Sequence, residues 1–170
     1  MSVLGAILAG GQARRYGSDK AHAIYQGKKL IDHVADALGS QTTALIVCGR
    51  EEPGFGCVPD APGGNIGPLG GLNAALRFAE AKGFTHVLSA GVDAPNLPPD
   101  LATQLRGEGA GVVESQPVVG WWPVAAQPDL SDFIEGGGRA LYGFVERIHA
   151  RRIALEAPLM NVNTPDDLKG

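Results

Sequence analysis

The sequence VLGAILAGGQARRYGSDK, residues Val3 to Lys20, begins like a buried strand and continues into a basic loop. Its first six residues are apolar apart from one glycine, and the run stops at Ala9-Gly10-Gly11. A short apolar run that ends at a glycine turn is typical of a strand inside a parallel sheet. The segment therefore predicts the first strand of an α/β protein, with a loop at its carboxyl end.

Strand and helix patterns alternate over the next part of the chain. Apolar residues recur at helical spacing over Leu30–Leu38, a second buried strand is predicted over Ala44–Cys48, and a second helix runs from Leu69 to near Gly83. His86–Leu88 is the centre of a third strand. This order predicts a Rossmann-like three-layer sandwich with a mostly parallel central sheet and right-handed crossovers.

The pattern loosens after Pro99, where the predicted elements are shorter. No linker, repeat or low-complexity tract interrupts the sequence, so we predict a single domain over residues 1–170 whose two halves meet near residue 100. The later part predicts a helix over Asp100–Arg106, strands over Gly111–Val113, Val118–Gly120, Pro123–Ala126 and Ile153–Leu155, helical packing around the Gly136-Gly137-Gly138 break, and a last turn over Thr164–Lys169.

Composition excludes several classes of protein. The hydrophobic fraction is 44% and the charged fraction 19%, which is typical of a folded protein. The net charge of −4 lacks the basic excess of nucleic-acid-binding proteins. No apolar run approaches the roughly 20 residues of a membrane span, and Arg14-Arg15 follows the apolar segment rather than preceding it as in an export signal. Two cysteines are too few for a disulfide framework. We expect a cytoplasmic protein with reduced thiols that binds neither nucleic acid nor a membrane.

The loop after the first strand combines glycines with positive charge. Gly10 and Gly11 allow the backbone amides to approach a phosphate, and Arg14, Arg15 and Lys20 supply mobile cations within the same loop. The segment matches neither GxGxxG nor GxxxxGK[ST]. It predicts triphosphate binding, with Lys20 neutralising charge on the phosphates. A tight turn with solvated basic side chains is the alternative.

Asp93 follows the third predicted strand and precedes Pro95. Ligands of open parallel sheets lie beyond the carboxyl ends of the strands, where this carboxylate is expected. Magnesium takes few ligands from the protein and the rest from phosphate and water, so one aspartate is enough. An ordinary turn or cap residue is the alternative.

Longer stretches then resemble a known family. LAGGQARRYGSDKA followed by GKKLIDHVADAL is similar to the opening of the molybdenum cofactor guanylyltransferases, which belong to a wider group of sugar-phosphate and cofactor nucleotidyltransferases. The resemblance covers nearly the whole chain and implies a fold of the nucleotidyltransferase type. It continues in GPLGGL at Gly67–Leu72, GVDAPNLP at Gly91–Pro98, QPVVGWWP at Gln116–Pro123 and NVNTPDDL at Asn161–Leu168.

The resemblance implies roles for particular residues in the first loop. Leu8, Ala9 and Gly10, together with Gly11, match the stretch that contacts the nucleotide largely through the backbone. Lys20 matches the lysine that contacts phosphate. With Arg15, it would provide the charge neutralisation on which catalysis depends.

Other residues match the remaining parts of the site. Asp60 matches an acidic residue on the guanosine side, and Asp93 matches the nucleotide-site carboxylate that binds magnesium. Asn161 and Asn163 lie where the family closes the site near the metal and the pterin, and in an extended segment they share one face. Arg139 is a candidate for the pterin phosphate, and a surface arginine is an equal alternative.

Two local features bear on specificity. Trp121 and Trp122 are expected on opposite faces of a strand, one in the core and the other available to a pterin or a second subunit. The family often carries an asparagine in the loop after the second strand, where this chain reads CGRE, Cys48 to Glu51. That nucleotide contact is therefore not expected in the same form.

The resemblance implies an activity and its partners. The terminal phosphate of molybdenum-molybdopterin would attack the α-phosphate of GTP, with Mg²⁺ as cofactor and pyrophosphate as product. Residues 1–100 would form the GTP-binding half and residues 101–170 the acceptor-binding half, and delivery chaperones or molybdoenzymes are possible partners. The alternatives are a cytidylyltransferase for the same pterin, a sugar-phosphate nucleotidyltransferase, and a non-catalytic nucleotide-binding protein that delivers the cofactor. The Gly10-Gly11 pair favours guanine, because the cytidylyl relatives tend to read LAAG.

Overall fold

The computed structural model describes residues 1–10, 19–64 and 66–169. Nine strands and five α-helices are formed by these residues. The strands are β1 Val3–Leu8, β2 Ile24–Tyr25, β3 Lys28–Lys29, β4 Ala44–Cys48, β5 Gly56–Val58, β6 His86–Ala90, β7 Gly111–Val113, β8 Gln116–Pro123 and β9 Arg151–Ile153. The helices are α1 Leu30–Gly39, α2 Pro68–Lys82, α3 Leu101–Leu105, α4 Gln127–Glu135 and α5 Leu141–Arg147, with 3-10 turns at Lys20–His22, Val124–Ala126 and Pro165–Leu168.

Seven strands form one mixed sheet in the order β5-β4-β1-β6-β8-β7-β9. β1 is parallel to both β4 and β6, β4 is parallel to β5, and β7 is parallel to β9. β8 runs antiparallel to its two neighbours, β6 and β7. The predicted α/β architecture with a mostly parallel sheet is therefore confirmed, and a single sheet passes through both predicted halves of the chain.

The sheet is covered by helices on both faces. Leu4 and Ala6 of β1 belong to the core cluster that contains α2, α4 and α5, whereas Val3 and Ile7 face the cluster that contains α1 and α3. Successive side chains of a strand point to opposite faces, so this alternation places a hydrophobic layer on each side of the sheet. The three-layer arrangement is as predicted.

Helix α2 begins and ends where its sequence predicts. Pro68 occupies the first turn, where its missing N–H leaves no intrahelical bond unmade. Gly83 follows the last residue with a φ of +82°, a left-handed conformation that favours glycine at a helix end. None of the helices in the described part of the chain is both long and apolar enough to cross a membrane.

The second half of the sheet corrects one prediction. Val118–Gly120 lies within a longer strand, β8, and Pro123–Ala126 is not a separate strand, because Pro123 ends β8 and Val124–Ala126 form a 3-10 turn. β8 lies between two strands and is covered by helices on both faces, so it lacks the polar alternation that marks a half-exposed strand.

Trp121 and Trp122 do lie on opposite faces of β8, but both are buried in the core. Trp121 stacks on His86 with a centroid distance of 4.7 Å, and Trp122 stacks on Phe144 at 5.9 Å. The expectation that one of them is available to a pterin or a second subunit is wrong, because helices cover both faces of this strand.

Both cysteines are free thiols, as expected. Cys48 is the last residue of β4 and is fully buried in the core cluster on the α2 face. Burial raises the pKa of its thiol to about 12, and the carboxylate of Asp60 acts in the same direction. Cys48 therefore stays protonated at neutral pH and packs as a small apolar side chain.

Candidate active site

Three parallel strands end side by side at one edge of the sheet. Leu8 at the end of β1 is in register with Cys48 of β4, and Ile7 is in register with Ala90 at the end of β6. The loops that follow these strands therefore meet, as the carboxyl-edge rule predicts. Between them is a cavity of about 310 Å³, lined by Leu8, Ala9, Lys20, Arg50, Gly91, Asp93 and other residues.

Lys20 and Asp93 face each other across this cavity. The Nζ atom of Lys20 lies 2.6 Å from Oδ1 of Asp93, and it also donates a hydrogen bond to the carbonyl oxygen of Val162 at 3.1 Å. The exposed fractions of the two side chains are 17% and 35%, so the pair is partly shielded from water but open to a ligand. The structure thus brings together two residues that the sequence predicted separately.

The C-terminal segment fixes this pair from the other side. The N–H of Val162 donates to the carbonyl oxygen of Asp93 at 2.9 Å, and Val162 is fully buried against Leu30. Asn161 and Asn163 flank the buried Val162 and are both exposed. Neither residue lines the cavity that contains Lys20 and Asp93, so the role predicted for them stays a prediction.

Asp93 has the features that a magnesium ligand needs. It follows β6, its backbone is fixed by Val162, and its carboxylate opens into a cavity large enough for phosphate and water. Among the described residues, no group of three or more His, Cys, Asp or Glu side chains could hold a metal by itself. A metal at Asp93 would therefore take most of its ligands from the substrate, which is the usual arrangement for magnesium with nucleotides.

A second cavity of about 420 Å³ lies on the β4 side, with Gly10, Gly49, Arg50 and Asp60 in its wall. It adjoins the first cavity at Arg50, which lines both. A smaller cavity of about 140 Å³ links Leu8, Gly10, Asp60 and Pro68. The three cavities share lining residues and lie next to one another along the carboxyl edge, and we refer to them together as the cleft.

Asp60 sits in a cage of glycines. A Cβ atom at Gly10 would lie 2.9 Å from its Oδ2, and one at Gly49 would lie 2.7 Å from its Oδ1. Gly70 and Gly71, both on α2, also lie close to the Asp60 side chain. Side chains at these positions would displace Asp60, so glycine is required at least where the backbone and the carboxylate approach most closely.

The loop that carries Asp60 is held by α2. The N–H of Ala61 donates to the carbonyl oxygen of Gly70 at 3.0 Å, and Nδ2 of the buried Asn73 donates to the carbonyl oxygen of Ala61 at 2.7 Å. Oδ1 of Asp60 is buried without a hydrogen-bond partner among residues 1–10, 19–64 and 66–169. Burial raises the pKa of this carboxyl group above its usual range.

Arg139 is placed differently from the phosphate-binding role considered for it. Its Nη1 atom donates to the carbonyl oxygens of Ile134 and Gly138, at 3.1 Å and 2.6 Å. These bonds satisfy carbonyl groups at the C-terminal end of α4. The side chain is exposed, and the structure shows it as a helix-end residue rather than as part of the cleft around Asp93.

Sequence reasoning missed a cluster of charged residues beside the cleft. Arg50 forms ion pairs with Asp19 and Glu52, and His22 lies 2.6 Å from Glu52. Arg50 follows β4 at the same edge that identified Asp93, so the rule of strand ends would have singled it out. Its pairing with Asp19 has no local signal, because the two residues are far apart in sequence. Gly11, Arg14 and Arg15 lie outside the described residues, so the roles predicted for Gly11 and Arg15 stay predictions.

The fold and this site together define a nucleotidyltransferase domain, with a nucleotide cleft across the ends of β4, β1 and β6. The family described as MobA-like NTP transferase domain matches residues 5–148. The chain belongs to this family.

Individual relatives agree with that assignment. A molybdenum cofactor guanylyltransferase of Cereibacter sphaeroides is 37% identical, over 99% of this chain and 94% of the relative. The protein of the same name from Acidiphilium cryptum (strain JF-5) is 36% identical, over 95% and 90%. The resemblance identified from the sequence motifs is therefore confirmed.

Solved structures give the same result for the fold. The crystal structure of molybdopterin-guanine dinucleotide biosynthesis protein A from Archaeoglobus fulgidus has a TM-score of 0.78 and 26% identity, covering 98% of this chain and 95% of that one. A 2-C-methyl-D-erythritol 4-phosphate cytidylyltransferase from Thermus thermophilus has a TM-score of 0.69 at 18% identity, covering 99% and 95%. The second likeness concerns the fold alone.

Proposed function

We propose that this protein transfers GMP from GTP to the molybdenum cofactor and releases pyrophosphate. Its relatives over nearly the full chain are named molybdenum cofactor guanylyltransferase. The observation that carries the proposal is the Lys20–Asp93 pair, with 2.6 Å between Nζ and Oδ1, at the point where the loops after β1 and β6 meet. A cation for phosphate and a carboxylate for a metal, side by side in one cavity, suit the chemistry of a nucleoside triphosphate.

Lys20 acts on the phosphate chain. Its ammonium group is held near Asp93 by the carbonyl oxygen of Val162, and its three N–H donors can turn toward phosphate oxygens when the nucleotide enters. Negative charge shifts to the leaving pyrophosphate during transfer. A positive group positioned in advance stabilises that charge without reorganising solvent. Arg15, which lies in the same sequence loop, is proposed to assist it.

Asp93 is proposed to hold Mg²⁺ together with the triphosphate. When bound there, the ion would supply Lewis-acid stabilisation of the negative charge on the phosphates. The protein's own part is to hold Asp93 in position: the N–H of Val162 donates to its backbone carbonyl, and Lys20 pairs with its carboxylate. The acceptor's terminal phosphate is already an anion, so no general base is required of the protein, and catalysis rests on positioning and charge.

Asp60 is proposed to bind the guanosine side of the nucleotide. A carboxylate is a hydrogen-bond acceptor only, and guanine presents N–H donors, including its amino group. Asp60 lines both the second cavity and the smallest one, which supports a contact with a base bound there. The backbone at Leu8, Ala9 and Gly10 forms the floor between this point and Lys20.

The acceptor is proposed to approach from the side of residues 101–170. Val118 of β8 lines the same cavity as Lys20 and Asp93, which supports an approach from this side. Asn161 and Asn163 are exposed on either side of Val162, and we propose that they contact the acceptor. Delivery chaperones, molybdoenzymes as partners and the cytoplasm as compartment stay predictions.

Nucleotide specificity tests the proposed function. Pyrophosphate release is measured with GTP, CTP, ATP and UTP in turn, with Mg²⁺ and with molybdenum-molybdopterin as acceptor. We expect release with GTP that depends on both the acceptor and the metal. Preference for CTP would identify a cytidylyltransferase, and GTP binding without pyrophosphate release would indicate a delivery protein.

Substitution of Lys20 tests the catalytic assignment. Lys20→Ala is expected to lower kcat by about a hundred- to a thousandfold, the usual effect of removing one charge-stabilising donor. Lys82→Ala is the matched control, since Lys82 is exposed at the C-terminal end of α2, and the cleft lies at the N-terminal end of that helix. Thermal unfolding of both variants should stay close to that of the wild type. Full turnover by Lys20→Ala would contradict the role given to Lys20.

A further inference from the structure

Four polar side chains form a cluster on the β4 side of the cleft, which we call the Arg50 cluster. It consists of Asp19 and His22, at the two ends of the 3-10 turn that carries Lys20, and of Arg50 and Glu52, in the loop after β4. Nothing in the nucleotide contacts proposed above uses these residues. The cluster therefore links two site loops through side chains alone.

Arg50 binds Asp19 with both ends of its guanidinium group. Nη1 donates to Oδ1 at 2.8 Å and Nη2 donates to Oδ2 at 2.7 Å. This two-point geometry fixes orientation as well as distance, unlike a single ion pair at the surface. The hydrogen bond from Arg50 lowers the pKa of Asp19, and the same bond raises the pKa of Arg50.

Glu52 anchors this pair to the protein interior. Its carboxylate is only 4% exposed, with Oε2 lying 3.2 Å from Nη2 of Arg50 and Oε1 lying 2.6 Å from Nε2 of His22. The contact with Arg50 is ionic rather than an aligned hydrogen bond. The N–H of Glu52 is directed at Sγ of Cys57 on β5, at 3.1 Å. A buried carboxylate held by the sheet edge thus determines where Arg50 can lie.

Asp19 is directly followed by Lys20, whose Nζ reaches Asp93 on the far side of the first cavity. Arg50 therefore holds the residue before Lys20, and Val162 accepts a hydrogen bond from the far end of the Lys20 side chain. Arg50 itself lines both the first and the second cavity. A displacement of about 1 Å in a charge-stabilising group can lower a rate by about a hundredfold, so this attachment bears directly on turnover.

We infer that Arg50 is a positioning residue for the transfer reaction, which holds Asp19 so that the ammonium group of Lys20 meets the phosphates of the nucleotide. The inference rests on the proposed function of Lys20. It assigns to this chain's CGRE loop a contribution to catalysis that is made through Lys20. Arginine is needed because the single ammonium group of a lysine cannot contact both carboxylate oxygens of Asp19 and, at the same time, the carboxylate of Glu52.

Asp19→Asn is the first test, because Asp19 is 41% exposed and the change is nearly isosteric. We expect kcat to fall by about ten- to a hundredfold while KM for GTP changes less, since the phosphate-binding group is misplaced rather than lost. Arg50→Gln should have the same effect, and the double variant Asp19→Asn/Arg50→Gln should be no slower than Arg50→Gln alone. Arg50→Lys should recover only part of the activity. Arg77→Gln, an exposed arginine on α2, is the control and should keep wild-type kcat.

Combination with Lys20→Ala separates positioning from a general effect on folding. If Arg50 acts through Lys20, adding Asp19→Asn to Lys20→Ala lowers kcat no further, whereas two independent contributions multiply. Full multiplication of the two losses, or unchanged kcat in Asp19→Asn, overturns the inference.

The affinity for GTP is also measured by calorimetry for the wild type, Asp19→Asn, Lys20→Ala and the double variant. The effects of the two substitutions on affinity are expected to be coupled even without an acceptor. Wild-type protein that binds GTP but releases no pyrophosphate would refute the proposed function, and the affinity cycle would still decide the role of Arg50. Independent effects on affinity in that case would overturn it.

Discussion

Gly49 has a left-handed backbone and no room for a side chain. Its φ is +92°, and a Cβ atom would lie 2.6 Å from Cα of Gly10 and 2.7 Å from Oδ1 of Asp60. Gly54 has nearly the same φ, +88°, but a Cβ atom there would meet nothing within 4 Å. The two residues separate backbone strain from steric contact in the same stretch of chain.

Gly49→Ala and Gly54→Ala make that comparison. Both should lose about 1–2 kcal/mol of unfolding free energy from the left-handed conformation. Gly49→Ala should lose about a further 1–3 kcal/mol because Gly10 and Asp60 must move apart. Urea unfolding gives the free energies, and KM for GTP should rise only in Gly49→Ala. Equal losses in the two variants would mean that the site tolerates a side chain at residue 49.

The ionised carboxylate of Asp60 is expected to lower the stability of the nucleotide-free protein while contributing to GTP binding. Burial raises its pKa, so its contribution to stability is fully present below the unfolded pKa, near 3.9, and is lost as the pH rises through the folded value. Asp60→Asn should therefore raise the Tm of the nucleotide-free protein more at pH 8 than at pH 4. It should also raise KM for GTP by about tenfold, equivalent to about 1.4 kcal/mol.

The control for Asp60→Asn is Asp132→Asn, which removes one exposed carboxylate from α4. Thermal unfolding is followed across the pH range for both variants. A Tm of Asp60→Asn that rises more in acid than in base would reverse the sign and refute the assignment of a costly buried charge.

At the scale of elements, one buried hydrogen-bond chain joins β6 to β8. Trp122 Nε1 donates to Oγ of Ser89 at 2.9 Å, and that hydroxyl donates to the carbonyl oxygen of Val118 at 2.7 Å. Both side chains are fully buried. These two hydrogen bonds cross between the antiparallel strands β6 and β8, which lead to Asp93 and Val118 at the cleft.

Ser89→Ala should lower the unfolding free energy by about 1–3 kcal/mol, because the indole N–H of Trp122 is left buried without its partner. Adding Trp122→Phe removes that orphaned donor, so the double variant should lose less than the sum of the two single losses. Denaturant unfolding of the four proteins measures the coupling between the residues. Strict additivity would show that the hydrogen bond contributes nothing.

Elements whose patterns are local were predictable from sequence, whereas those fixed by neighbours were not. β1 and α2 show apolar periodicity and end at glycines, so their bounds follow from the sequence within a residue or two. β8 has a strand on each side and helices on both faces. Its sequence therefore shows no polar alternation and predicts two short strands instead of one long strand. Lys20 and Asp93 could be singled out because each follows a strand end, and the structure places both in one cavity, whereas the Arg50–Asp19 pair depends on tertiary structure alone.

At the scale of the whole molecule, the site is assembled from both ends of the chain. Lys20 donates to the carbonyl oxygen of Val162, 142 residues away, and Val162 packs on Leu30 at the start of α1. The C-terminal segment is therefore expected to contribute both to stability and to the position of the Lys20 ammonium group.

Val162→Ala should lower the unfolding free energy by about 1.6 kcal/mol, the value for two buried methylene-sized groups. Val145→Ala on α5 is the matched control, since Val145 is equally buried but packs on the opposite face of the sheet. Both should lose similar stability by urea unfolding, and only Val162→Ala should lower kcat. Equal kcat in the two variants would show that the segment does not position Lys20.

The direction of β8 has a consequence for how such enzymes diversify. Because β8 runs opposite to β6, it is the beginning of the strand, at Val118, that reaches the cleft, and the exposed turn of Glu114 and Ser115 precedes it. An insertion in that turn would extend this end of the sheet without shifting β1, β4 or β6. If the acceptor approaches from the side of Val118, as proposed, acceptor preference can change while the proposed nucleotide contacts are kept, and we expect differences in length among relatives to concentrate at this turn.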